Sequence, residues 1–181
     1  MVIAGEPSGD LLAAELVRAL AAAPAGAGAK FIGAGGPRMA EAGVELAFDL
    51  TQHAVVGLWE VLKNYFKFRR LFNQLLDLAV EHRPNAVICV DFSGFNRRFA
   101  AALRERQQSI PNWKLRVVQY VSPQVWASRP ARVRTMERDL DLLLSIFPFE
   151  KAWYAEHAPK LRVEFVGHPM KIGRASCRER V

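Results

Sequence analysis

The chemistry with the clearest address in this chain is a carboxylate at a strand end. Asp91 ends the run Asn85-Ala-Val-Ile-Cys-Val-Asp91 and opens a loop reading Phe92-Ser-Gly-Phe-Asn96. A β-branched, apolar run entered from Pro84 reads as a buried strand. In open α/β sheets, ligands bind outside the carboxyl ends of the strands. A carboxylate in that place serves either as a general base or as a cap for the following helix, and position alone admits both. Asn96 closes the same loop and is a candidate substrate contact.

Three further segments place polar groups at comparable positions. Ala4-Gly-Glu-Pro-Ser-Gly-Asp10 joins a short first strand to a helix. It is neither a Walker loop nor a G-x-G-x-x-G fingerprint. Its acidic Glu6 and Asp10 disfavour a close phosphate, so sugar hydroxyls are the better ligands for Glu6, Ser8 and Asp10. Ser8 is also the expected N-cap, and a tight capped turn without ligand is the competing reading. Tyr120-Val-Ser-Pro-Gln-Val-Trp-Ala127 offers Ser122, Gln124 and Trp126, groups that suit a sugar or simply pack. Val166-Gly-His-Pro169 brings His168, a proton shuttle, a ligand contact or a structural imidazole.

Strand and helix signals alternate around these groups. Strands are expected at 2–4, 30–33, 85–91, 115–121, 140–147 and 162–166. Helices are expected at 10–22, just after Gly35-Gly-Pro37, and at 58–80, 97–107, 129–138 and 149–157. Such alternation implies an α/β fold: a Rossmann-like, mostly parallel sheet with helices on both faces. A length of 181 residues suits one domain with a sizeable core.

The composition is that of a globular protein, 51% apolar and 24% charged. No apolar run reaches the ~18 residues of a membrane span. Gly5-Glu6 and Asp10 interrupt the apolar start, so no signal peptide is expected. Cys89 and Cys177 make neither a disulfide framework nor a metal motif, and a reducing cytoplasm is the expected compartment. No cofactor and no metal are expected.

The net charge of +7 suggests an anionic partner, or only a basic solvated face. The last ten residues, 172–181, resemble a translated frame of a common sequencing adapter. They are expected to be foreign to the natural protein, and their three Arg and one Glu account for two of those charges.

The long helix carries two faces. Leu58, Val61, Tyr65, Phe68, Phe72, Leu75 and Ala79 recur at spacings of three and four, a core stripe. Beside it stand Lys63, Lys67 and Arg70 with Trp59 and Phe66. Cations interleaved with rings suit an anionic lipid surface. Nucleic acid is the rival partner, and a solvated face the third reading. The acidic Gly5–Asp10 loop argues against a nucleotide- or nucleic-acid-binding domain.

Seven segments, in order, resemble the lipid-A-disaccharide synthases, bacterial glycosyltransferases of GT-B type. They are Ala4 to Asp10, Gly36-Pro-Arg-Met39, Val56-Gly-Leu-Trp-Glu-Val61, Asp91 to Asn96, Tyr120 to Ala127, Phe147 to Lys151 and Val166 to Pro169. The resemblance covers that family's N-terminal half. It implies that residues 1–171 form an acceptor-binding Rossmann-like domain and that a UDP-binding C-terminal domain is missing. It implies an inverting transfer of diacylglucosamine from UDP-2,3-diacylglucosamine to the 6-hydroxyl of 2,3-diacylglucosamine 1-phosphate. The products are a β-1,6 disaccharide and UDP.

On the same resemblance Asp91 is the base, no metal is needed, and the enzyme sits peripherally on the inner face of the inner membrane. No single Lys or Arg is marked as the partner of the acceptor phosphate. One departure is visible: Trp126-Ala-Ser128 stands where the family reads Trp-Ala-Trp. A non-catalytic lipid-binding module is the alternative.

Overall fold

The computed structural model describes residues 1–53 and 65–168. Trp59, Lys63 and the tail 172–181 lie outside them, as do the side chains of Phe66 and Lys67. In chain order the elements are β1 (Val2–Ala4), α1 (Pro7–Ala22), β2 (Phe31–Gly35), α2 (Pro37–Glu41), β3 (Val44–Asp49) and α3 (Tyr65–His82). There follow β4 (Ala86–Val90), α4 (Ser93–Gln108), β5 (Arg116–Tyr120), α5 (Val125–Ser128), α6 (Val133–Asp139), β6 (Leu142–Ser145), α7 (Pro148–His157) and β7 (Arg162–Phe165). Short 3₁₀ turns at Pro24–Gly26, Thr51–His53 and Pro130–Arg132 link them.

Among the described residues seven strands form one parallel sheet, in the order β3-β2-β1-β4-β5-β6-β7. The expected Rossmann-like sheet is therefore present. The strand order reverses at β1, which lies between β2 and β4. That reversal leaves a crevice above the β1 and β4 carboxyl ends, where such sheets bind ligands.

Alternate side chains of β1 feed two cores. Val2 and Ala4 join Leu12, Ala13 and Val17 of α1, Met39 of α2 and Val90 of β4. Ile3 joins Leu75 and Ala79 of α3, Phe99 and Leu103 of α4, Val117 and Leu143. A strand buried on both faces reads as an unbroken apolar run, and Val2–Ala4 and Ala86–Val90 do. Each large aliphatic side chain so buried contributes about 1.5–3 kcal/mol. The expected core stripe of the long helix holds for Phe72, Leu75 and Ala79. Phe72 meets Phe95 and Phe99 edge-on. On the α1 and α2 side, the covering helices stop near β4. Ile88, Val118, Leu142 and Leu144 are only half-buried there.

Three local expectations need correction. Residues 44–49 form an edge strand, which is absent from the strands expected above. The pattern Val44-Glu-Leu-Ala-Phe-Asp49 alternates with period two and pairs with β2. Helix α1 begins at Pro7, not Asp10, because proline favours the first helical position. Its N-cap is Glu6 and no side chain caps it, so Ser8 is not the cap. Helix α4 begins at Ser93 rather than Arg97.

Candidate functional site

The β1 and β4 ends meet through a ring packed on a glycine. A Cβ built on Gly5 would lie 2.2 Å from a Phe92 ring carbon, so only glycine admits this ring. Phe92 in turn stacks on Phe95, with ring centroids 5.4 Å apart. The Gly5 turn and the Asp91 loop are thus one packed unit.

Asp91 follows β4 directly. Its N–H donates to the Tyr120 carbonyl at 2.9 Å, extending the ladder by one residue. Its φ of 51° and that of Phe92, 41°, are left-handed, as is Val121 at 69°. Left-handed backbone costs non-glycine residues on the order of 1–3 kcal/mol and clusters at functional sites. Two buried amides hold this backbone. Asn96 Nδ2 donates to the Asp91 carbonyl at 2.7 Å and the Val90 carbonyl at 3.3 Å. Gln119 Nε2 donates to the carbonyls of Asp91, Tyr120 and Val121 at 3.1, 3.3 and 3.2 Å. The Asp91 carboxylate itself has no hydrogen-bond or ion-pair partner among the described residues. It does not cap α4, whose N-cap is Phe92.

A cleft of about 500 Å³ opens at this point, lined by Ser8, Asp91, Ser122, Gln124, Phe147 and His168 among others. Five of the residues expected from sequence therefore converge on one cleft. Leu11 also lines it and is exposed. Phe149 and Val166, on neighbouring strand-end segments, are exposed too.

The other expected contacts sit differently. Glu6 is half-buried at the α1 N-terminus. Asp10 is buried, and its carboxylate accepts the N–H groups of Gly36 at 2.8 Å, Arg38 at 3.0 Å and Met39 at 3.1 Å. It caps α2 from a distant helix, so the carboxylate expected to meet a sugar is engaged with backbone. Gly36 makes room for it, since a Cβ there would lie 2.6 Å from Asp10 Oδ2. Asn96 is fully buried beneath the loop, and its amide holds the Asp91 carbonyl.

Trp126 Nε1 donates to Glu150 Oε1 at 3.0 Å, and its ring meets Phe149 edge-on. Glu150 is wholly buried, so this bond ties α5 to α7. Beside it the Tyr154 hydroxyl lies 3.2 Å from Ser122 Oγ and donates to the Pro123 carbonyl at 3.3 Å. Burial pushes the Tyr154 phenol up to about 12; the Ser122 bond opposes that and Glu150 adds to it. The phenol therefore stays protonated and holds the loop.

Gln119, Glu150 and Tyr154 were missed from sequence. The available signal was a polar residue inside each of two apolar runs, Val118-Gln-Tyr and the α7 face. On α3, Arg70 is exposed, as a lipid-facing cation requires. Among the described residues no helix is long and apolar enough to cross a membrane.

Comparison with known proteins bears on the family. The chain is 42% identical over 171 residues to lipid-A-disaccharide synthase of Trichlorobacter lovleyi, covering 94% of this chain and 42% of that protein. It is 40% identical over 169 residues to the Alcanivorax borkumensis enzyme of the same name, covering 93% and 41%. Against that of Pseudomonas aeruginosa the identity is 38% over 186 residues, covering 99% and 46%. The chain thus spans under half the length of these curated relatives. A family profile described as lipid-A-disaccharide synthetase matches residues 1–173, and with it the chain belongs to that family.

Proposed function

We propose that residues 1–171 are the acceptor-binding part of a lipid-A-disaccharide synthase and that Asp91 is its general base. The observation that carries this reading is the Asp91 carboxylate, without a partner among the described residues, lining a cleft at the strand-order reversal. The acceptor is 2,3-diacylglucosamine 1-phosphate, with its sugar among Ser8, Ser122, Gln124 and His168. The 6-hydroxyl oxygen attacks the anomeric carbon of UDP-2,3-diacylglucosamine while its proton passes to Asp91. The new O6–C1 bond forms as the bond from C1 to the UDP oxygen breaks. UDP leaves with the bonding pair, and configuration at C1 inverts.

The donor is held mainly by the part of the enzyme outside this chain, so the 181 residues alone turn over little or no substrate. Exposed Leu11, Phe149 and Val166 give acyl chains an apolar rim. The residue types of Trp59, Lys63, Phe66, Lys67 and Arg70 suit anionic lipid at the cytoplasmic side of the inner membrane, and the enzyme is peripheral there.

The test is transfer itself. A protein of the relatives' full length that carries this chain is supplied with both lipids, and disaccharide and UDP are measured. Stoichiometric disaccharide and UDP support the reading. Liposome binding without either product would replace it with a non-catalytic lipid-binding module.

A further inference from the structure

A second, smaller cavity adjoins the Asp91 cleft. Its volume is about 220 Å³, and it shares Ser93, Pro123 and Gln124 with the cleft as a common wall. Arg97 of α4 enters its lining from one side, and Arg129 and Arg132 from the turn after α5. Ser128 adds a hydroxyl, and Met136 and Leu140 add apolar surface. None of the three guanidinium groups has a carboxylate or hydrogen-bond partner among the described residues.

One acidic residue, Asp139, also lines the cavity, but its two oxygens accept Arg138 Nε and an Arg138 terminal nitrogen at 2.6 and 2.9 Å. The cavity therefore keeps an uncompensated positive charge. Desolvation, and then Arg129, Arg97 and Arg98, hold the Arg132 guanidinium below its ordinary value. Like charges gathered without a counter-charge repel one another, and a bound anion relieves that repulsion.

Geometry narrows the anion. Planar guanidinium forks match the oxygens of phosphate. Sites that enclose whole small molecules measure about 300–1,000 Å³, so this cavity suits one charged group rather than a nucleotide. The shared wall lets a molecule seated at Asp91 extend that group across Ser93 and Gln124.

We propose that the Arg97, Arg129 and Arg132 cavity binds the phosphate monoester of the sugar held in the Asp91 cleft. Its assignment to the acceptor rests on the transferase reading above; its preference for a phosphate monoester does not. Arg97 and Arg132 supply the inner cationic wall, and exposed Arg129 closes the outer side.

The experiment is equilibrium binding followed by ³¹P NMR, with glucosamine 1-phosphate as probe, on the 181-residue chain and on the full-length enzyme. Arg132→Gln, Arg97→Gln and the surface variant Arg129→Gln are compared, each with its circular dichroism spectrum. Saturable binding that glucosamine does not displace, weakened about 10- to 100-fold by Arg97→Gln or Arg132→Gln, is the expected result. In the full-length enzyme the same variants raise the acceptor KM by a similar factor, while the donor KM stays within about twofold. Arg129→Gln, exposed and therefore tolerated by the fold, weakens the probe by a smaller but measurable factor.

Unchanged affinity in folded Arg97, Arg129 and Arg132 variants would overturn the proposal. Displacement of the probe by UDP with equal efficiency would assign the cavity to the donor diphosphate and overturn it too. Equal displacement by phosphatidylglycerol vesicles would make it a headgroup site and have the same consequence. Loss of transfer in the wild type with probe binding intact would sink the transferase reading and leave the phosphate site standing.

Discussion

Replacing Asp10 by Asn separates a structural carboxylate from a ligand-binding one. In the native protein one oxygen accepts Gly36 and Met39 N–H groups and the other accepts Arg38 N–H. The asparagine side chain keeps a carbonyl oxygen for the first pair. Its amide nitrogen then faces the Arg38 N–H, donor against donor. One bond is lost outright and two fall from charge-assisted to neutral, roughly halving each. Bonds to charged groups are worth about 1.5–3 kcal/mol, and a residue only 2% exposed has no water to replace them. The expected cost is about 2–4 kcal/mol.

Urea unfolding followed by tryptophan fluorescence reads this directly. A slope of about 1–3 kcal/mol per molar makes it a midpoint shift of roughly 1–2 M. Gly36→Ala forces a methyl against the same carboxylate and should destabilise as well. The double variant should fall short of additivity, because both changes break one contact. A stability within about 0.5 kcal/mol of wild type would refute the capping argument. Normal stability with weakened sugar binding would return Asp10 to the substrate site.

Other outcomes follow from the same contacts. Gln119→Leu conserves bulk but leaves the Asp91, Tyr120 and Val121 carbonyls without their shared donor. It should cost about 1–3 kcal/mol and speed amide exchange at Asp91 and Val121; unchanged exchange would mean the left-handed backbone holds itself. For Asp141, desolvation pushes the carboxyl up, but the Val117 N–H and then Arg104 and Arg116 outweigh it and hold the carboxyl below its ordinary 3.8. A depressed folded value means this contribution is complete above the unfolded value and is lost as pH falls through the folded one. Asp141→Asn should therefore be less stable than wild type at pH 7 and lose that deficit in acid below pH 3.8, as paired urea titrations would reveal.

What could be read from the amino acids tracks how local each cause is. The Asp91 strand was legible because a run of buried apolar residues followed by a carboxylate is a short-range signal. The convergence of Ser8, Ser122, Gln124 and His168 was legible because each follows a strand, and parallel strands bring their ends to one edge. The α1 start was misjudged by weighing Ser8 as a cap above Pro7 as a first helical residue, although both signals lay in the same four residues.

Asp10 was beyond such reading, since its donors lie 26 to 29 residues away and exist only once α2 packs on α1. Gln119 was hidden for a related reason. Its donors serve carbonyls on two neighbouring strands, and only the sheet register brings those together. The arginine cavity was the least legible, because Arg97 and Arg132 meet only when α4 packs beside the turn after α5.

Asp91→Asn in the full-length enzyme bears most directly on the central claim. The substitution keeps shape and removes the proton acceptor, so kcat should fall about 10²-fold or more while acceptor binding and the unfolding midpoint hold. A near-normal kcat would contradict the account and remove Asp91 from the role of base.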